Sequence, residues 1–155
     1  MKSLTVESPV VEPGADIPRR YTCDGEDRSL PLRWGAPPPG TQAFAVIVDD
    51  PDAPAKVWVH FVAWNLLADA RSLAEGLTAD ARGLVQGKND FGRIGWGGPC
   101  PPPPHDAHRY FVRLYALDAT LDLSVGATRQ QLDQAMSGHV LAEGEWMGKY
   151  KRERK

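Results

Sequence analysis

The chain is poor in cysteine, and the two it has, Cys23 and Cys100, form no Cys-x-x-Cys pair, which excludes a zinc ribbon. In a reducing cytosol both are expected as free thiols. Long apolar runs are also missing: nothing approaches the roughly 20 residues of a membrane helix. Residues 1–9 lack the apolar stretch of a signal peptide, so a cytoplasmic protein that does not span a membrane is expected. Charge of one sign is scarce. The net charge is -2 and the pI about 6.1, without the clustered Lys and Arg that neutralise phosphates, which argues against nucleic acid as a partner. The basic tail, residues 149–155, reads as a solvated terminus. No Gly-x-Ser-x-Gly elbow, P-loop Gly-Lys-Ser/Thr or His-x-x-x-His is present. No internal repeat or linker divides the 155 residues, so one domain, 1–155, is expected.

What the chain does contain is short apolar runs between Gly/Pro turns. An apolar fraction of 42% and a charged fraction of 25% are those of an ordinary globular protein with a real core. Residues 44–48 and 57–67 are apolar on both parities, the pattern of central strands covered on both sides. Residues 110–117 alternate, with Tyr110, Val112, Leu114 and Ala116 on one face and Phe111, Arg113 and Tyr115 on the other. Residues 30–34 form a shorter strand, placed near an edge by Pro31.

Thr128 and Gln131 fit a capping box. Leu132, Ala135 and Met136 continue it as an apolar stripe, and Gly138 supplies the stop. A second, weaker helix is expected near residues 77–84, and residues 140–150 are expected as a strand. The pattern predicts a mainly β fold, an antiparallel sandwich with one or two short helices.

Candidate chemistry concentrates in three segments: Asp49-Asp50-Pro51-Asp52-Ala53-Pro54, Trp58-Val59-His60-Phe61 and His108-Arg109-Tyr110-Phe111. Strand parity puts His108 and Tyr110 on one face, about 7 Å apart, and gives His60 the face of Trp58, Val62 and Trp64. Asp50 and Asp52 follow the first run where it leaves the sheet. Two His, two Asp and a Tyr at strand ends point to a site. In residues 92–99, glycines would let backbone N–H groups approach an anion. The prolines 101–104 stiffen the exit of that loop.

These motifs resemble the phosphatidylethanolamine-binding proteins, or Raf-kinase-inhibitor-like proteins, in their bacterial and archaeal branch. The resemblance runs nearly end to end. It includes residues 17–27, the Asp-Asp-Pro-Asp-Ala-Pro at 49–54, the Trp-x-His at 58–60, the glycine loop at 95–102, the run 108–117 and the helix region 126–142. It implies a two-sheet Greek-key sandwich with a small cavity for phosphate-like anions or phospholipid head groups. The family's pocket residues carry over to Asp50, Pro51, Asp52, His60, Gly97, Gly98, Pro99, His108 and Tyr110. One departure stands in the link before His108. Family members usually have a glycine there; this chain has Pro103-Pro104-His105-Asp106-Ala107, a stiffer and longer rim.

The reading that follows is a binding module for a small anion or head group such as phosphoethanolamine, regulating a protein partner such as a kinase or protease. No cofactor and no metal are expected. The competing class is a hydrolase using the Asp/His pocket, with or without a metal, and its one covalent route is a Cys100 thiolate beside His108. A plain structural protein with a vestigial pocket is the third reading. Bacterial relatives tend to pair, and Trp146 with Met147 would supply a contact patch for a homodimer.

Overall fold

The computed structural model describes residues 2–152. Among the described residues nine strands and one α-helix follow one another, with a single 3-10 turn at Arg19–Tyr21: β1 (Lys2–Ser3), β2 (Val6–Glu7), β3 (Leu32–Trp34), β4 (Ala43–Asp50), β5 (Trp58–Leu67), β6 (Ser72–Leu73), β7 (Val85–Gln86), β8 (His108–Leu117), α1 (Arg129–Met136) and β9 (Val140–Tyr150). They form a six-stranded sheet in the order β1-β9-β8-β4-β5-β7 and a three-stranded sheet in the order β2-β3-β6. Every pairing is antiparallel except β1 with β9. The fold is the mainly β, two-sheet architecture that the sequence predicts.

The continuous apolar runs are buried on both faces. In β4, Phe44, Val46 and Val48 face the space between the sheets, where they meet Val6, Leu32 and Trp34. Ala45 and Ile47 face the other way, onto a second cluster with Leu132 and Met136 of α1. β4 is buried on both sides, so a strand with alternating polar residues would not fit there. The strand at residues 140–150 and the capping box of α1, Gln131 N–H to Thr128 Oγ1 with the Gln131 side chain returning to the Thr128 N–H, form as expected.

Four expectations are corrected. Residues 77–84 form turns rather than a helix. Gly76 and Gly83 take positive φ, and the Gln86 side chain donates to the Thr78 carbonyl, which an extending helix would need. The strand near Pro31 lies in the middle of its sheet, because Pro31 precedes β3 and takes no ladder position. Trp146 is buried in its own core and supplies no contact patch for a second copy. Cys23 and Cys100 are joined in a disulfide, and the described residues contain no free cysteine. Their separation of 77 residues concealed a spatial neighbourhood, since the Cys23 N–H donates to the Pro99 carbonyl at 3.2 Å.

One irregularity in the β4–β5 ladder places the site. Val48 pairs with Phe61 but Asp49 pairs with Val59, so His60 is an extra residue, a β-bulge. The bulge reverses parity along β5. Phe61 and Ala63 pack between the sheets, whereas Val62 and Trp64 pack beneath α1. His60 therefore does not share a face with Val62 and Trp64, as simple alternation predicted. It turns towards Tyr110, with ring centroids 5.2 Å apart.

Candidate ligand cavity

At the end of the large sheet where β4 stops and β5 and β8 begin, a cavity of about 200 Å³ opens. Asp50, His60, His108 and Tyr110 line it, with apolar walls from Trp58, Phe91, Cys100, Pro101 and Pro102. All four polar residues are nearly inaccessible to solvent. A volume below the 300 Å³ lower end of drug-sized sites suits a small ion or a single head group.

Asp50 ends β4, and both oxygens of its carboxylate accept a hydrogen bond. Oδ1 accepts the Asp52 N–H at 2.8 Å, fixing the turn after Pro51, and Oδ2 accepts Nδ1–H of His108 at 2.7 Å. Antiparallel pairing of β4 with β8 brings together these residues, 58 apart in the chain. The second nitrogen of His108, Nε2, lies 3.1 Å from Nδ1 of His105 on the rim.

His60 donates Nδ1–H to the Gly97 carbonyl at 2.6 Å, which leaves Nε2 as an acceptor in the neutral ring. Burial holds its pKa below the usual histidine range; the Gly97 and Gly98 backbone and the Asp50 charge oppose this more weakly. Phe91 packs edge-on against both His60 and Trp58, at 5.5 and 5.4 Å. Tyr110 is only 1% exposed, and its hydroxyl has no hydrogen-bond partner. The indole N–H of Trp58 is likewise buried and unpartnered. Burial pushes the Tyr110 phenol far up, reinforced by the charges of Asp50 and Asp52, so it stays a neutral donor.

The other residues expected at the site stand behind it. Asp52 binds Arg109 through the backbone N–H, Nε and Nη2 at 2.9, 3.0 and 2.9 Å, which lowers its pKa and ties the loop after β4 to the start of β8. The amides of Gly97 and Gly98 are engaged within the protein. Gly97 N–H donates to the His60 carbonyl at 2.9 Å and Gly98 N–H to Asp27 Oδ1 at 2.8 Å. Both glycines serve close packing instead. A Cβ at Gly97 would enter the Phe91 ring, and one at Gly98 would meet Asp27 and the Tyr21 carbonyl. Pro51 forms the turn between Asp50 and Asp52, and Pro99 accepts from Cys23. Residues 96–100 are thus strapped to residues 21–27 by the disulfide, by Gly98 with Asp27 and by Trp96 Nε1–H to the Tyr21 carbonyl at 3.2 Å.

Phe91, His105 and Asp27 belong to this arrangement without having stood out individually in the sequence. The Asn89-Asp90-Phe91-Gly92 turn was the available signal. Asn89 Oδ1 accepts from the amides of Phe91 and Arg93, and its Nδ2 donates to Gly95, shaping the loop that presents Phe91. The disulfide removes the Cys100 thiolate as a nucleophile. Among the described residues no three His, Cys, Asp or Glu side chains cluster as metal ligands. The chemistry available is hydrogen bonding to a small polar guest: two neutral donors, two imidazole nitrogens and an oriented carboxylate in an apolar shell.

Comparison with known proteins agrees with this architecture. The family model described as phosphatidylethanolamine-binding protein matches residues 7–151. The chain belongs to the phosphatidylethanolamine-binding protein family. A UPF0098 protein of Methanothermobacter thermautotrophicus is 50% identical over 139 residues, covering 88% of this chain and 91% of that protein. Among solved structures, a phosphatidylethanolamine-binding protein homologue of Chlamydia trachomatis, CT736, is 36% identical with a TM-score of 0.89, covering 99% of this chain and all of that one. YbcL of Escherichia coli is 29% identical with a TM-score of 0.90, covering 97% and 99%. Carboxypeptidase Y inhibitor, solved with its cognate proteinase, is 14% identical with a TM-score of 0.56, a likeness of fold alone, covering 97% and 83%. The family match spans the strands β4, β5 and β8 that end at the cavity.

Proposed function

We propose that this protein binds a small phosphate-like oxyanion, free or as a phospholipid head group, in the cavity between β4, β5 and β8. The observation that carries the reading is the pair of unpartnered buried donors, Tyr110 O–H and Trp58 Nε1–H, beside His108. A buried polar group without a partner costs about 1–3 kcal/mol, and these two line the cavity, where a polar guest can satisfy them. The phenol O–H and indole N–H suit phosphate oxygens, and His108 adds an Nε2–H donor when both of its ring nitrogens carry protons. Asp50 orients His108, and its charge is compatible with the ammonium of phosphoethanolamine.

The bulge at His60 and the turn at Asp50 are what converge these groups, so the guest site is a product of the sheet rather than of the glycine loop. Occupancy of the cavity regulating a protein partner, a kinase or a protease, is the second half of the proposal, and family membership supports it. Equilibrium dialysis with radiolabelled phosphate and with phosphoethanolamine tests the first half. Binding of either that is lost in a Trp58→Phe, Tyr110→Phe double variant supports it; absence of binding at millimolar ligand contradicts it. Pull-downs from native cells, compared between wild type and that variant, test the second.

A further inference from the structure

The link before His108 contains a second histidine that the proposed site does not need. Nδ1 of His105 lies 3.1 Å from Nε2 of His108. Because Nδ1 of His108 is committed to Asp50, Nε2 is the only nitrogen His108 can offer a guest. His105 already occupies it. The rings lie 5.4 Å apart at 34°, a tilted arrangement compatible with one shared proton between the two nitrogens. The backbone holds His105 there. Its N–H closes a turn onto the Pro102 carbonyl at 3.0 Å, and three consecutive prolines, Pro102 to Pro104, restrict that turn. Proline fixes φ, so little freedom is lost when the turn places the imidazole.

We infer that His105 is a built-in competitor for the anion: it caps Nε2 of His108 in the free protein and must be displaced for an oxyanion to bind there. This rests on the anion-binding reading above. The cap does not exclude all guests. It sets a threshold: with Nδ1–H given to Asp50, Nε2 holds an oxyanion only when it too carries a proton, and that charge-assisted bond is roughly twice as strong as a neutral one and so displaces a neutral imidazole. The apparent dissociation constant is then the intrinsic one divided by the fraction of molecules with His105 displaced. His105 is half-buried at the rim, so the displaced ring has solvent to move into.

The test is calorimetric titration of inorganic phosphate into wild type, His105→Ala and His105→Phe at one pH, with melting temperatures recorded for each. The Ala variant removes ring and hydrogen bond; the Phe variant keeps the bulk and removes only the bond. Both are expected to bind phosphate more tightly than wild type, by about 2- to 12-fold, the range spanned by one neutral hydrogen bond. In wild type, the imidazole nitrogen resonances of His105 and His108 should move together on titration. Wild type and His105→Ala binding phosphate equally, or the variant binding more weakly, would overturn the capping role while leaving the anion site intact. Phosphate binding to none of the three proteins would overturn both.

Discussion

Asp50 and His108 are 58 residues apart in sequence and 2.7 Å apart in space, joined across the β4–β8 pairing with both side chains buried. The pair fixes which nitrogen of His108 faces the cavity. Removing the carboxylate frees the ring to turn and leaves its Nδ1–H without a partner.

Asp50→Ala is therefore expected to lower stability by about 1–3 kcal/mol, the cost of an unsatisfied buried donor, and to weaken phosphate binding as well. Urea denaturation and a phosphate titration on the same protein check the two effects together.

Stability should decline on mild acidification. Burial lowers the folded-state pKa of His60 below its unfolded value, about 6.5, so the unfolded chain binds the proton more readily. The contribution is complete above about pH 6.5 and is lost as the pH falls through that value towards the lower folded one. Melting temperatures from pH 8 to 5 should show this fall, and His60→Asn should flatten it. The Asp52 carboxylate, lowered by Arg109, adds stability that is lost only at more acid pH, below about 3.9.

The disulfide closes a loop spanning 77 residues and ties the cavity wall to residues 21–27. Reduction is expected to cost on the order of 2–5 kcal/mol and to lower the melting temperature by several degrees. Thiol titration of the protein taken from its native cells should find no reactive thiol before denaturing reduction. Such a bond persists in oxidising compartments and in hyperthermophile cytosol.

Much of this structure was legible in the sequence because it depends on local pattern. The runs at 44–48 and 57–67 are apolar on both parities and became strands buried on both faces. Thr128, Gln131 and Gly138 marked the ends of α1 where they occur. What was not legible depends on pairing in space. The orientation of His60 follows from a bulge that exists only against β4, and the Cys23–Cys100 bond follows from the packing of two distant loops. The glycines at 97 and 98 are required, but for contact with Phe91 and Asp27; their amides are used within the protein. Trp146 gave no composition signal to separate a core residue from a surface patch, and only the closing of β9 onto β8 decided it.

The buried Tyr110 hydroxyl, which no other protein group pairs, is the proposed donor to the guest. Tyr110→Phe tests it most directly, measured as unfolding free energy and phosphate affinity on one preparation. Stability is expected to stay unchanged or rise by up to about 1–3 kcal/mol, because a buried hydroxyl without a protein partner is gone, while phosphate affinity falls by about 0.5–3 kcal/mol. A variant that is less stable and binds phosphate as tightly as wild type would contradict it.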